Sequence, residues 1–202
     1  CLLPCFLLLQ FAPSTRLFAM GLVAGILTGS GRVYWLTATL QLFGGLSAFP
    51  AFLTNALLIL YLALYPACFF LICSRLRFNS PLFAWIAASI WVLLEWAQTW
   101  IITGFPWELL GYSQYQNRSL VQLASITGVY GLSFFLVLTN AVLAQLAICK
   151  SRAIKWAVPP ALLLVAALCF GHYRLTALEG ESGDALEIGI IQGNFPQDEK
   201  WN

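Results

Sequence analysis

Long apolar blocks alternate with short polar segments along most of the chain, and this pattern predicts transmembrane helices. A helix that crosses a bilayer needs about 20 mostly apolar residues. Blocks of this kind predict a partial helix at residues 1–12 and complete spans near residues 16–36, 51–73, 81–103, 120–148 and 154–172. Asn79-Ser80-Pro81 marks the start of the 81–103 span, because proline is tolerated at the first helical position.

The composition supports lipid as the solvent for residues 1–172. Hydrophobic residues make up 60% of the chain and charged residues 9%, and the mean hydropathy is +0.82. A soluble domain carries roughly 25% charged residues. The sequence therefore predicts an all-α polytopic membrane helix bundle. The net charge of +2 comes from scattered cations, so we expect no nucleic-acid partner.

The positions of the cations predict an orientation. Basic residues without acidic neighbours fall in alternate loops: Arg16, Arg75, Arg77, Lys150, Arg152 and Lys155. Positively charged loops stay on the cytoplasmic side of a membrane. We therefore expect residues 74–80 and 149–155 in the cytoplasm, and the C-terminal tail on the outer, periplasmic side.

The composition changes after Arg174. Residues 173–185 contain several acidic residues and glycines and are predicted to form a linker. Leu186 to Gln192 has the short, β-rich pattern of a strand and precedes the turn-like Gly193-Asn194-Phe195-Pro196. Residues 186–202 are thus interpreted as the first strand and loop of an α/β domain outside the membrane, with the rest of that domain beyond Asn202.

Three glycines in the first complete span recur every four residues: Gly21, Gly25 and Gly29. This spacing places them on one helix face, where a neighbouring backbone can approach closely. We interpret the face as a packing seam.

Among the ionisable residues, Glu95 is the one that the predicted spans place inside the membrane. Burial of a carboxyl group in hydrocarbon is costly, so Glu95 should face the bundle interior or a polar cavity. It is either a hydrogen-bonded strut between helices or a direct substrate contact. Gln98, one turn later, could share its hydrogen bonds.

Residues 103–114, TGFPWELLGYSQ, form the least regular segment. Trp107 and Tyr112 fall where aromatic side chains favour the membrane interface. Glycine, proline and aromatic residues are denser here than anchoring requires, so this loop is also a candidate site.

The six cysteines show no CxxC pair, and we predict no disulfide framework, metal site or cofactor.

Three segments carry a resemblance to a known family. Glu95 to Tyr112 with TGFPWELLGYSQ, then LVQLASITGVYGLSFFLVLTNA, and finally IGIIQGNFPQDEKWN resemble apolipoprotein N-acyltransferase in order and spacing. The resemblance implies a membrane helix bundle with a nitrilase-like domain on the periplasmic side of the bacterial inner membrane. It also implies acyl transfer from a phospholipid to the N-terminal cysteine amine of an apolipoprotein, through a thioester on the enzyme.

The family resemblance assigns the catalysis to a Glu-Lys-Cys triad in the nitrilase-like domain, beyond the position that matches Asn202. No catalytic residue is therefore expected in residues 1–202, which alone should be inactive. The resemblance marks Trp201 and Gln197 on a loop near the active-site entrance, Trp107 near the point of lipid access, and Glu95 as the intramembrane glutamate. The chain departs from the family at Gln98, where an arginine is common.

Two other functions stay open from the sequence. A transporter or channel subunit would use Glu95 and Asn140 along its pathway. A non-catalytic membrane anchor would present an external domain that has no cysteine nucleophile. For the enzyme we expect a phospholipid donor, an apolipoprotein acceptor, contact with membrane lipid, and a monomer.

Overall fold

The computed structural model describes residues 2–180 and 188–193. Its helices are α1 (Leu3–Leu8), α2 (Ser14–Val33), α3 (Trp35–Leu42), α4 (Ala48–Cys73), α5 (Phe83–Gln98), α6 (Arg118–Val121), α7 (Ala124–Cys149) and α8 (Ser151–Gly180). Short 3₁₀ helices cover Ile101–Thr103 and Leu110–Gln114. Helix α2 packs mainly against α4, α5 against α7, and α8 against α6 and α7. The predicted all-α bundle is confirmed for the described residues.

Among the described residues, α4, α7 and α8 are long and apolar enough to cross a membrane. The predicted span at 16–36 corresponds to a bent pair of helices that together are long and apolar enough for one broken span: α2 ends at Val33, and α3 continues at an angle of 51°. Asn55 of α4 stabilises this break, because its buried Nδ2 donates to the carbonyl of Val33 at 3.1 Å and to Oγ1 of Thr37 at 2.9 Å.

The predicted span at 81–103 is too long at both ends. Helix α5 begins at Phe83, after a turn, and ends at Gln98. Its 16 residues correspond to about 24 Å at the usual helical rise, less than the roughly 30 Å of a hydrocarbon core. Ile102 and Thr103 have φ angles of +52° and +69°, which are incompatible with a continuing helix.

The glycine face predicted on α2 is confirmed as a packing seam against α4. A Cβ atom at Gly21 would lie 2.7 Å from the carbonyl oxygen of Pro66, and one at Gly25 would lie 2.7 Å from Cα of Ala63. Only glycine fits such a close backbone approach. The seam holds α2 and α4 together along one side of the bundle.

The C-terminal part of the chain differs from the prediction. Helix α8 continues to Gly180, so residues 173–180 of the predicted linker are helical. Residues 188–193 form no strand, and residues 186–187 lie outside the described residues. A strand needs a hydrogen-bonded neighbour, and no other described segment is a strand that could pair with this one. The predicted strand of a nitrilase-like domain is therefore not supported.

The cation-bearing loops lie together at one end of the bundle. Buried Gln145 of α7 donates to the carbonyl oxygens of Phe78 (2.7 Å) and Ser80 (2.8 Å), which joins the 74–82 loop to the end of α7. The start of α2 reaches the same end, because Gly21, Gly25 and Gly29 face Ala67, Ala63 and Ile59 in turn, so that α2 runs antiparallel to α4 and begins near the end of α4. The segment between α5 and α6, residues 99–117, lies at the opposite end and is called the capping loop below.

Candidate functional site beneath the capping loop

A cavity of about 530 Å³ lies between α1, α2, α4, α5, α7 and the capping loop. Its volume falls in the range of small-molecule sites, about 300–1,000 Å³. Most of its lining is apolar, and the polar side chains are those of Thr28, Arg32, Tyr65, Glu95, Gln98, Glu108, Ser113, Gln114 and Asn140.

Glu95 lines this cavity and is 6% exposed, as predicted for a carboxyl group turned into the bundle. Its Oε1 accepts hydrogen bonds from Nε1 of Trp91 and from the backbone nitrogen of Leu110, each at 2.8 Å. The first bond stays within α5, and the second fixes the capping loop. This geometry makes Glu95 a hydrogen-bonded strut between α5 and the loop.

Ser133 of α7 holds the next residue of the same loop. The backbone nitrogen of Gly111 donates to Oγ of Ser133 at 2.8 Å, and both groups are buried. A Cβ atom at Gly111 would lie 2.5 Å from the carbonyl oxygen of Val129, so a side chain there would push the loop off α7. Consecutive backbone N–H groups of the loop are thus bound by side chains from two helices.

The start of the capping loop is closed by a reciprocal pair. The backbone nitrogen of Phe105 donates to the carbonyl of Gln98 at 2.9 Å, and Nε2 of Gln98 donates to the carbonyl of Phe105 at 3.0 Å. The side-chain Nε2 of Gln98 thus binds the loop and not Glu95, contrary to the sharing of hydrogen bonds predicted above. The hydroxyl of Tyr61 adds a third restraint by donating to the carbonyl of Ile101 at 3.0 Å.

The mouth of the cavity is formed by the end of α2 and the middle of the capping loop. Trp107 stacks on Trp35, with ring centroids 5.5 Å apart and an interplanar angle of 18°. Arg32 forms an ion pair with Glu108, with Nε 3.5 Å from Oε2. Arg32, Trp107 and Glu108 line the cavity, whereas Trp35 does not.

The structure brings together two of the predicted site residues. Glu95 and Trp107 line the same cavity, one buried and one 53% exposed. Tyr112 is exposed on the capping loop and is not among the lining residues. Gln197 and Trp201 lie outside the described residues.

Arg32 was not predicted as a site residue. It lies in the last turn of α2, within a predicted span, so Glu95 is not the sole ionisable residue in these spans. The detectable signal was a cation in an apolar block, which is costly unless the cation is paired or reaches the interface. Its partner Glu108 lies 76 positions away, which a local pattern does not reveal.

The fold and the site together define a polytopic membrane protein with a loop-capped cavity inside its helix bundle. A family profile described as the apolipoprotein N-acyltransferase N-terminal domain matches residues 1–142. Similar proteins include the apolipoprotein N-acyltransferases of Geobacter metallireducens, 35% identical over 93% of this chain, Photobacterium profundum, 32% over 96%, and Haemophilus influenzae, 35% over 94%.

These matches show the family, and the chain belongs to the apolipoprotein N-acyltransferases. The matched part covers 37%, 37% and 35% of the lengths of the three relatives, so the chain spans little more than a third of each. The match to the family profile includes α1 to α6 and most of α7, and therefore the capping loop and all the residues that line the cavity.

Proposed function

We propose that this chain forms the membrane part of an apolipoprotein N-acyltransferase, which moves an acyl chain from a phospholipid to the N-terminal diacylglyceryl-cysteine amine of a lipoprotein. Membership of the family carries this proposal. The apolar cavity beneath the capping loop supports it, because it offers space for an acyl chain close to a membrane surface.

The proposed reaction has two steps. A cysteine thiolate attacks the ester carbonyl of the phospholipid, so that a C–S bond forms, the C–O bond breaks and a lysophospholipid leaves. The lipoprotein amine then attacks the thioester, which forms the amide C–N bond, breaks the C–S bond and returns the thiolate. A glutamate takes up and returns the protons, and a lysine stabilises the oxyanion.

By the family resemblance, the cysteine, glutamate and lysine belong to a periplasmic nitrilase-like domain and not to residues 1–202. The residues described here would receive and orient the lipid. Trp107 and Glu95 are the proposed contributors from the capping-loop site, with Tyr112, Gln197 and Trp201 as further candidates. Residues 1–202 alone are expected to be inactive.

We place the protein in the bacterial inner membrane with the capping loop and the C-terminal tail on the periplasmic side. This orientation is supported by the cation-bearing loops, which lie together at the opposite end of the bundle. Positively charged loops are retained in the cytoplasm. We also propose that the protein acts as a monomer.

The test is expression of the uninterrupted reading frame that contains these residues in a bacterium depleted of its own N-acyltransferase. The masses of lipoprotein N-termini are then measured. We expect triacylated N-termini, and their loss when the nucleophilic cysteine of the nitrilase-like domain is changed to alanine. Lipoproteins that stay diacylated, although the protein is inserted and folded, would favour a membrane anchor or a transporter.

A further inference from the structure

We propose that Arg32 is a positioning residue for the acyl donor: it clasps the end of α2 to the capping loop and so holds Trp107 and Glu108 at the cavity mouth. This inference rests on the proposed acyl transfer for its functional consequence. The clasp itself is a geometric claim about the end of α2 and the capping loop, and it can be tested separately.

The guanidinium group of Arg32 makes two contacts with one residue. Its Nη1 donates to the backbone carbonyl of Glu108 at 3.0 Å, and its Nε lies 3.5 Å from the carboxylate Oε2 of Glu108. The planar fork of arginine allows both contacts at once, whereas a lysine ammonium is a single point charge on a flexible stem. Arg32 therefore fixes both the backbone and the side chain of Glu108.

The backbone of Arg32 positions Trp107, the loop residue before Glu108, indirectly. Its carbonyl accepts a hydrogen bond from Nε1 of Trp35 at 3.0 Å, which orients the indole ring. That ring stacks on Trp107. Two consecutive residues of the capping loop are thus positioned from one residue of α2.

The conformation of the loop explains why such a clasp is needed. Glu108 has a φ angle of +60°, in the left-handed region that a residue with a Cβ atom adopts only when its surroundings impose it. The two contacts from Arg32 are such surroundings. Without them, Glu108 is free to return to an ordinary conformation, and Trp107 would leave its stacked position.

Arg32, Trp107 and Glu108 all line the cavity, and the side chain of Arg32 is 49% exposed. They therefore act at the mouth. The hydrogen bonds of Glu95 with Trp91 and Leu110 involve none of these three residues. Loss of the clasp should weaken productive binding of the phospholipid and leave later chemistry unchanged.

The kinetic experiment uses the full-length protein with Arg32→Gln, Arg32→Lys, and Arg118→Gln as the matched control. Arg118 is an exposed arginine at the same end of the bundle that does not line the cavity. Acyl-enzyme formation is followed by mass at increasing concentrations of a phospholipid in mixed micelles. We expect Arg32→Gln to raise the KM for the donor about tenfold, with Arg32→Lys intermediate and the control unchanged.

The maximal rate of acylation and the transfer from the acyl-enzyme to a diacylated lipopeptide should be unchanged in all three variants. A merely structural role would instead lower both steps and the yield of monodisperse protein. An unchanged KM in Arg32→Gln, or equal effects of Arg32→Gln and Arg118→Gln, would overturn the proposal.

The clasp is also measured without reference to activity. Leu109 follows Glu108 in the capping loop, lines the cavity and is buried. Leu109→Cys, in a protein whose native cysteines in this chain are replaced, should react several-fold faster with a water-soluble maleimide when Arg32→Gln is added. Unchanged labelling refutes the clasp. Faster labelling in a protein that never forms an acyl-enzyme supports the clasp and refutes the proposed function.

Discussion

The Oε1 atom of Glu95 lies 2.8 Å from the backbone nitrogen of Leu110, so an intramembrane carboxyl group holds the loop that covers the cavity. The same oxygen also accepts the indole N–H of Trp91. One buried side chain therefore satisfies two donors that would otherwise lie unpaired. This relationship explains how α5 accommodates a polar residue that is costly to bury, and it supplies the first prediction.

Replacement of Glu95 should separate its role as an acceptor from its charge. Glu95→Gln keeps a carbonyl oxygen for both donors, and we expect little loss of stability. Glu95→Ala leaves the N–H groups of Trp91 and Leu110 unpaired, and we expect a loss of about 1–3 kcal/mol. Thermal unfolding of the protein in detergent measures both. Equal losses in the two variants would show that the charge of Glu95 is what matters.

The glycine seam gives a second prediction. Gly25→Ala places a methyl group where Cα of Ala63 lies 2.7 Å away, so α2 must move from α4. Overpacking of this kind costs about 1–3 kcal/mol. Gly31→Ala is the matched control, because a Cβ atom there meets nothing within 4 Å. A Gly25→Ala protein as stable in detergent as the control would contradict the seam.

The proposed orientation predicts which loops react from outside the cell. Tyr115 of the capping loop is 74% exposed, and Arg77 is exposed in the cation-bearing loop. In intact spheroplasts, Tyr115→Cys should react with a membrane-impermeant maleimide, and Arg77→Cys only after permeabilisation. Both variants are made without the native cysteines. The reverse pattern would invert the topology.

Gln145 should control the stability of the cation-bearing loop. Gln145→Leu leaves the carbonyls of Phe78 and Ser80 without their donor, which costs about 1–3 kcal/mol for buried groups. We expect faster tryptic cleavage after Arg77 in inverted membrane vesicles. Gln116→Leu, an exposed change at the other end of the bundle, should have no effect. Equal cleavage rates in the two variants would show that Gln145 does not hold this loop.

Much of the fold could be predicted because hydropathy is a local property that adds along the chain. Residues 51–73 and 120–148 were predicted as spans, and the structure has α4 at Ala48–Cys73 and α7 at Ala124–Cys149. The spacing of Gly21 and Gly25 likewise indicated a packing face, since helix periodicity is known before any partner is. The early end of α5 was not predictable in this way, because the residues after Gln98 are as apolar as those before it.

The class of protein, its family, the glycine seam and the inward direction of Glu95 could all be predicted from the residues along the chain. The packed helices were needed to show that Glu95 binds Leu110, that Gln98 closes a loop on Phe105, and that Arg32 pairs with Glu108. The first group depends on composition, periodicity and motif order, which are read along one segment. The second depends on the relative position of separate elements, such as Arg32 and Glu108 at a separation of 76 residues, and only packing of the helices sets that distance.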